Sequence, residues 1–280
     1  MTALTTQARV NRRTRAQAQA PSIKLKLLSV GADAKTSKGS KRNWLTGILY
    51  LAPASEAGRG NLCPHASAGC RSACLFSAGR GKFDNVRTAR VNKTLRWFDD
   101  RRAFLSDLVR DIAKLESYCK RRGFRPAVRL NGTSDIPWEN VILPDQGCSL
   151  MALFPGVRFY DYTKSKARAI KAASGKLPSN YSLTFSRAED NGQAVGQVLR
   201  CGGNVAAVFS RELFNRLTWK KSGIARESVN SNRLGTLTDF PVPVFNGDDT
   251  DLRFLDPSGV VVALRAKGDA KGDTSGFVIN

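Results

Sequence analysis

The feature that most constrains the fold is a repeat of texture along the chain. Short runs of apolar, β-branched and aromatic residues recur, and most are separated by segments long enough for a helix. TGILYL at 46–51 comes first and is closed by Pro53. AVRLNGTSD (127–135), VRFYDYTK (157–164), NYSLTFSRAED (180–190), NVAAVFS (204–210), FPVPVFNGDD (240–249) and GVVVALRAKG (259–268) follow. Each reads as a short strand running into a polar turn. Repeated βα units imply α/β architecture with a parallel sheet, either a partial or a closed barrel. No linker long enough to split the chain intervenes, so residues 26–280 read as a single barrel-like domain. A chain of 280 residues can bury one large core of that kind. Between the first two strands the pattern predicts a helix over about 86–98, capped by Asp84 or Asn85. A second helix over about 102–121 places Phe104, Leu108, Ile112, Leu115 and Cys119 on one face.

Between the first strand and those helices lies CPHASAGCRSAC, from Cys63 to Cys74. It holds three of the six cysteines and the sole histidine, His65. Three thiols and an imidazole so close in sequence form a soft donor set of the sort zinc or iron–sulfur clusters take. The spacing, Cys-x6-Cys-x3-Cys, matches neither the usual zinc-finger nor the usual ferredoxin pattern. It predicts a metal site at Cys63, Cys70 and Cys74, with His65 joining if the metal is zinc. The other cysteines, Cys119, Cys148 and Cys201, stand alone and need no disulfide, which fits a reducing compartment.

Charge narrows the partners. Lys and Arg total 45 against 23 acids, a net charge of +22. A surface so basic expects a polyanion, and nucleic acid is the common one. No run of apolar residues long enough to span a bilayer and no secretory signal opens the chain, so the expected location is intracellular. Residues 1–25 read as a disordered basic arm carrying Arg9, Arg12, Arg13 and Arg15, able to lie along phosphates; an organellar transit peptide has similar composition. Arg87, Arg90, Lys93 and Arg96 recur every three residues on the first helix and would wrap round it as a phosphate-following stripe.

In parallel α/β sheets chemistry gathers at the carboxyl ends of the strands. The residues expected there are polar: Asn131, Thr133, Ser134 and Asp135, then Tyr160, Asp161, Thr163 and Lys164, then Ser186 and Arg187, then Asn246, Asp248, Asp249 and Lys267. Asp135, ending a strand in a Gly-Thr-Ser turn, is the first catalytic candidate and Lys164 the second. The cysteine loop leaves the same end of the first strand.

The segments NLCPHASAGC, VRLNGTSDIPWE, FYDYTK, NYSLTFS and the C-terminal AKG…GFV resemble the phage "gene product 88" domain family, over most of the chain after about residue 25. That resemblance implies a phage origin, hence the cytoplasm of an infected host, more than it implies an activity. More distantly, three cysteines after one strand and a Gly/Ser/Asp turn after the next are similar to radical S-adenosylmethionine enzymes, whose spacing is the shorter Cys-x3-Cys-x2-Cys. It implies a 4Fe-4S cluster on Cys63, Cys70 and Cys74, and S-adenosylmethionine contacted by Ser134 and Asp135, with Asn131, Tyr160 and Ser186 nearby.

Two function classes follow. One is an enzyme altering a nucleobase in DNA by radical S-adenosylmethionine chemistry; its variant is a base transglycosylase with Cys63, His65, Cys70 and Cys74 on structural zinc and Asp135 as nucleophile. The other is a non-catalytic, zinc-stapled nucleic-acid-binding protein. No protein partner is legible.

Overall fold

The computed structural model describes residues 23–31, 39–218, 224–236 and 239–280. Arg9, Arg12, Arg13 and Arg15, and with them nearly all of the expected arm, lie outside the described residues.

Each expected strand forms, with its ends shifted by a few residues. In chain order the strands are β1 (Leu28–Val30), β2 (Trp44–Leu49), β3 (Arg125–Arg129), β4 (Arg158–Thr163), β5 (Tyr181–Ser186), β6 (Val205–Phe209), β7 (Ile224–Asn230), β8 (Pro241–Asn246), β9 (Val261–Arg265) and β10 (Val278–Ile279). β1, β7 and β10 lack an apolar run that would have marked them. The helices are α1 (Ala68–Ser72), α2 (Asp84–Asp99), α3 (Arg101–Arg122), α4 (Leu150–Leu153), α5 (Lys166–Ala173), α6 (Gly192–Arg200) and α7 (Arg211–Thr218).

All strands join one sheet, in the order β1-β2-β3-β4-β5-β6-β9-β8-β7, with β10 added beside the end of β6. From β2 to β8 every pairing along that path is parallel. A closed barrel does not form, because both rims of the parallel set are occupied by antiparallel strands. β1 pairs β2 with Leu28 opposite Leu49, and β7 pairs β8 with Val229 opposite Val242. The sheet is therefore open.

Alternation along the strands splits the core between the two faces of the sheet. On the helix-covered face, α3 lays Phe104, Leu108, Ile112, Leu115 and Cys119 against β2 and β3, while α6 and α7 pack over β6, β8 and β9. Asp100 caps α3 by accepting from the Ala103 N–H at 3.0 Å, and Gly123, at φ 73°, ends it in the left-handed conformation. On the other face Tyr160 and Ala127 pack against Leu252, with Trp44 and Phe254 closing the edge. Segment 250–256 covers that face and carries its polar groups inward. Asp251 accepts from Arg129 and from the Tyr160 hydroxyl, both at 3.1 Å, and Arg253 pairs with Asp256 at 3.2 Å.

Candidate functional site

The carboxyl ends of β2, β3, β4 and β5 open onto one region, and hydrogen bonds between their loops fix it. The cysteine loop leaves β2 with the Ala52 N–H donating to Thr94 Oγ1 on α2 at 2.8 Å. The Leu62 carbonyl accepts from the Asp135 N–H at 2.8 Å, and Thr133 Oγ1 donates to the Leu51 carbonyl at 2.5 Å. The β2 loop and the β3 turn are thus stitched together. Gly132 makes this possible, since a Cβ there would stand 2.6 Å from the Tyr50 ring and 2.7 Å from the Leu49 carbonyl.

Within the loop, the Cys63 thiol donates to the Thr133 carbonyl at 3.6 Å. Cys70 rides on α1, whose cap Ser67 accepts from the Cys70 N–H at 3.1 Å. Glu189, beyond β5, clamps the same turn: it accepts from Ser67 Oγ at 2.8 Å and from the Gly69 N–H at 2.7 Å. Any side chain at position 69 would collide with that clamp, its Cβ lying 2.2 Å from Ser275 Oγ and 2.8 Å from Glu189 Oε2. Cys74 Sγ accepts from the Phe76 N–H at 3.5 Å.

The three thiols are half-buried, and none of the six cysteines forms a disulfide among the described residues. Burial pushes Cys63 up to about 12, and the charges of Cys74, Asp135 and Cys70 add to it. Burial likewise raises Cys70, against the lowering pull of the Lys164 ammonium, which reaches it by charge and hydrogen bond. Cys74 is raised by burial, opposed by the Phe76 N–H, with Cys70 raising it further. Thiolates here are therefore costly until a cation compensates them. His65 is exposed and is not among the groups acting on any of the three. Among the described residues, no group of three or more His, Cys, Asp or Glu side chains is placed to hold a metal ion.

The β3 turn uses its polar side chains to hold its own shape. Asn131 Oδ1 accepts from Ser134 Oγ and the Ile136 N–H at 2.9 Å and from Trp138 Nε1 at 3.2 Å. Asp135 accepts from the Lys164 N–H at 2.9 Å and from Arg168 Nη1 at 2.6 Å, and Arg168 turns its remaining nitrogens to Glu139 at 2.7 and 2.8 Å. Lys164 Nζ donates to Ser186 Oγ at 2.9 Å and lies over the Phe277 ring, 5.3 Å from its centroid. Asp135, Lys164 and Ser186 are thus brought to the thiols. Tyr160 is not: strand alternation turns it to the opposite face, fully buried against Asp251. Asp248 is paired with Lys267 at 3.0 Å.

The basic helix is corrected in detail. Arg90 is buried over the Tyr50 ring at 4.7 Å and donates to the Phe76 carbonyl at 3.4 Å. Lys93 donates to the Leu27 carbonyl at 3.0 Å, and desolvation lowers its pKa. Arg96 pairs with Asp107 at 2.6 Å. Only Arg87 of the four is exposed, lying over the Phe76 ring at 5.5 Å. Arg90 and Lys93 are thus engaged inside the molecule, and the partly exposed Arg96 is taken up by an ion pair. The roles of Glu189 and Phe277 are not legible in the sequence, because each acts across a contact more than a hundred residues long.

Fold and site together define a class: an open, mostly parallel α/β sheet with a three-thiol loop at the carboxyl end of its first parallel strand. The chain belongs to the Gene product 88 family, whose model matches residues 25–280, and it is of phage origin. No curated protein and no solved structure matches it. Among the described residues no helix is long and apolar enough to cross a membrane.

Proposed function

We propose that this protein is a DNA-modifying enzyme in which Cys63, Cys70 and Cys74 hold a 4Fe-4S cluster that binds S-adenosylmethionine, with a nucleobase as substrate. The observation that carries this reading is a donor set of sulfur alone. Cys63, Cys70 and Cys74 are each half-buried on the loop that packs on the β3 turn, whereas His65 is exposed. Zinc, with sulfur at about 2.3 Å, would need the thiols within about 4 Å of one another. A cluster takes its thiolate ligands from further apart, and one short loop here offers three thiols for it. Cys63, Cys70 and Cys74 would hold such a cluster, which would supply one-electron reduction when bound.

The chain's own groups divide the remaining work. Lys164 holds a positive charge beside Cys70, where it offsets thiolate charge and faces any carboxylate brought to the site. Ser186 fixes that ammonium, and Glu189 positions the turn bearing Cys70. Asp135 is a positioning residue, since both its oxygens are engaged by Arg168 and the Lys164 backbone. That engagement argues against its acting as the nucleophile of a transglycosylase. DNA as substrate rests on the net charge of +22 and the phage family.

Protein purified without oxygen is expected to be brown and to contain iron and labile sulfide in equal amounts. Replacing Cys63, Cys70 or Cys74 by Ala should each abolish both and the S-adenosylmethionine binding that depends on them. Stoichiometric zinc without iron, or iron retained in all three variants, would overturn the assignment.

A further inference from the structure

Beyond Cys74 the chain makes two short 3-10 turns, Leu75–Ser77 and Gly79–Lys82, before α2 begins. This segment, LFSAGRGKF, is folded tightly onto the thiol loop. The Phe76 N–H donates to Cys74 Sγ, and a Cβ on Gly81 would stand 2.1 Å from the Phe76 carbonyl. Its outward side is unusual for a surface. Phe83 is 62% exposed and Leu75 54% exposed, two of four large apolar side chains that stand out among the described residues. Arg80, Lys82 and Arg87 are exposed beside them, and among the described residues none of the three is in an ion pair with an acid. A groove next to them is lined by Glu56, Phe76, Asp84, Arg87, Thr88 and Val91.

We infer that this rim, 75–87, grips an unpaired nucleic-acid strand at the mouth of the thiol site. The chemistry is that of a stacking platform with cations alongside: an aromatic face takes a base, and Arg and Lys take the flanking phosphates. A duplex would offer phosphates but no free base face for Phe83. The two carboxylates in the groove, Glu56 and Asp84, repel phosphate and suit the amino edge of a base. The rim borders Cys74 directly, so a strand held there presents its next base to the site without a flipping step inside a duplex. The inference deepens the proposed DNA reading, on which it rests, and names the form of the substrate.

The test uses the full chain, its own cluster state, and fluorescence anisotropy with short single-stranded and duplex oligonucleotides at one ionic strength. Phe83→Ala is expected to weaken single-strand binding about 5- to 150-fold, the worth of one stacked base, while Phe83→Trp retains it. Duplex affinity, melting temperature and iron content should not change in either variant. Arg80→Ala and Lys82→Ala should each lower the salt slope on single strands by about 0.7. Wild-type strand binding by Phe83→Ala would overturn the inference. So would equal losses on strand and duplex, or a loss seen only with anionic phospholipid vesicles. If the protein holds no iron and Phe83→Ala still loses the strand, the rim stands and the cluster falls. If iron is retained and strand binding is indifferent to Phe83, the cluster stands and the rim falls.

Discussion

At the scale of single residues, the most informative group is one that touches neither solvent nor any sulfur. Asp161 is fully buried on β4, accepting from the Asn131 N–H at 2.6 Å and the Tyr181 hydroxyl at 3.0 Å. Burial pushes its pKa up to about 7, against those two hydrogen bonds and the nearby Arg129 and Arg168. The folded protein therefore binds this proton more tightly than the unfolded chain does. The resulting stability is fully present below the unfolded value of about 3.9 and is lost as pH rises through about 7. Asp107 behaves in the opposite sense. Its partners Lys26, Arg96 and Arg110 overcome burial and hold it down at about 2, so its contribution is present above about 3.9 and lost only in strong acid. The two windows do not overlap. Asp161→Asn should thus flatten the loss of melting temperature between about pH 4 and pH 7, where wild type sheds about 1.4 kcal/mol for each unit crossed. Melting curves for wild type and variant that run parallel across that range would rule this out. Asp161 also supports the amide that starts the Asn131 turn.

At the scale of elements, the edge strand β1 owes its place to one carboxylate on a helix. Asp111 of α3 accepts from the N–H groups of Lys26, Leu27 and Leu28 at 3.0, 2.6 and 3.0 Å. Asp111→Ala would leave these amides without acceptors, at about 1–3 kcal/mol for each buried one. Hydrogen exchange should then show the amides of 28–30 losing protection ahead of β2 and β3, with Asp111→Asn milder because its amide oxygen still accepts. Protection unchanged at 28–30 in Asp111→Ala would sink the idea. The same carboxylate marks the limit of legibility. Buried parallel strands are written as apolar runs, and α3 as a helical period, so those elements and the ends of β2, β3, β4 and β5 can be read directly. Asp107 and Asp111 sit inside the apolar period of α3, and nothing local says that backbone eighty residues away needs an acceptor. β7, reading IARESVN, is an edge strand whose charges hide its pairing, and its presence beside β8 leaves the sheet open. Arg90 and Lys93 read as surface cations because a three-residue recurrence says nothing of the Tyr50 ring and Leu27 carbonyl they meet. Asp135 is legible from its position at a strand end, while its work is set by Arg168, in the first turn of α5 beyond β4.

At the scale of the whole molecule, the question is which part of the +22 charge meets the nucleic acid. With Arg90 and Lys93 turned inward and Arg96 paired with Asp107, α2 does not present a stripe of four free cations. Two sources are of particular interest: the rim cations Arg80, Lys82 and Arg87, and the arginines at 9, 12, 13 and 15, which carry no acid among them. Counterion release separates these sources, because each phosphate contact adds about 0.7 to the slope of log affinity against log salt on single strands and about 0.9 on duplex. Rim contacts that need an unpaired base nearby should be lost on duplex, whereas contacts from an N-terminal segment reading only backbone should persist on both. Replacing Arg9, Arg12, Arg13 and Arg15 together by Ala in the full chain is therefore expected to lower the slope on either ligand, by up to about 3 on single strands if all four engage. The Phe83→Ala variant should keep its slope while losing affinity on the single strand alone, since a base stacked on a ring releases no counterion. A quadruple variant with wild-type slopes on both ligands would remove the N-terminal arginines from the interface. A slope that stays at zero for the unaltered protein would remove phosphate recognition altogether, and with it the argument from charge to DNA.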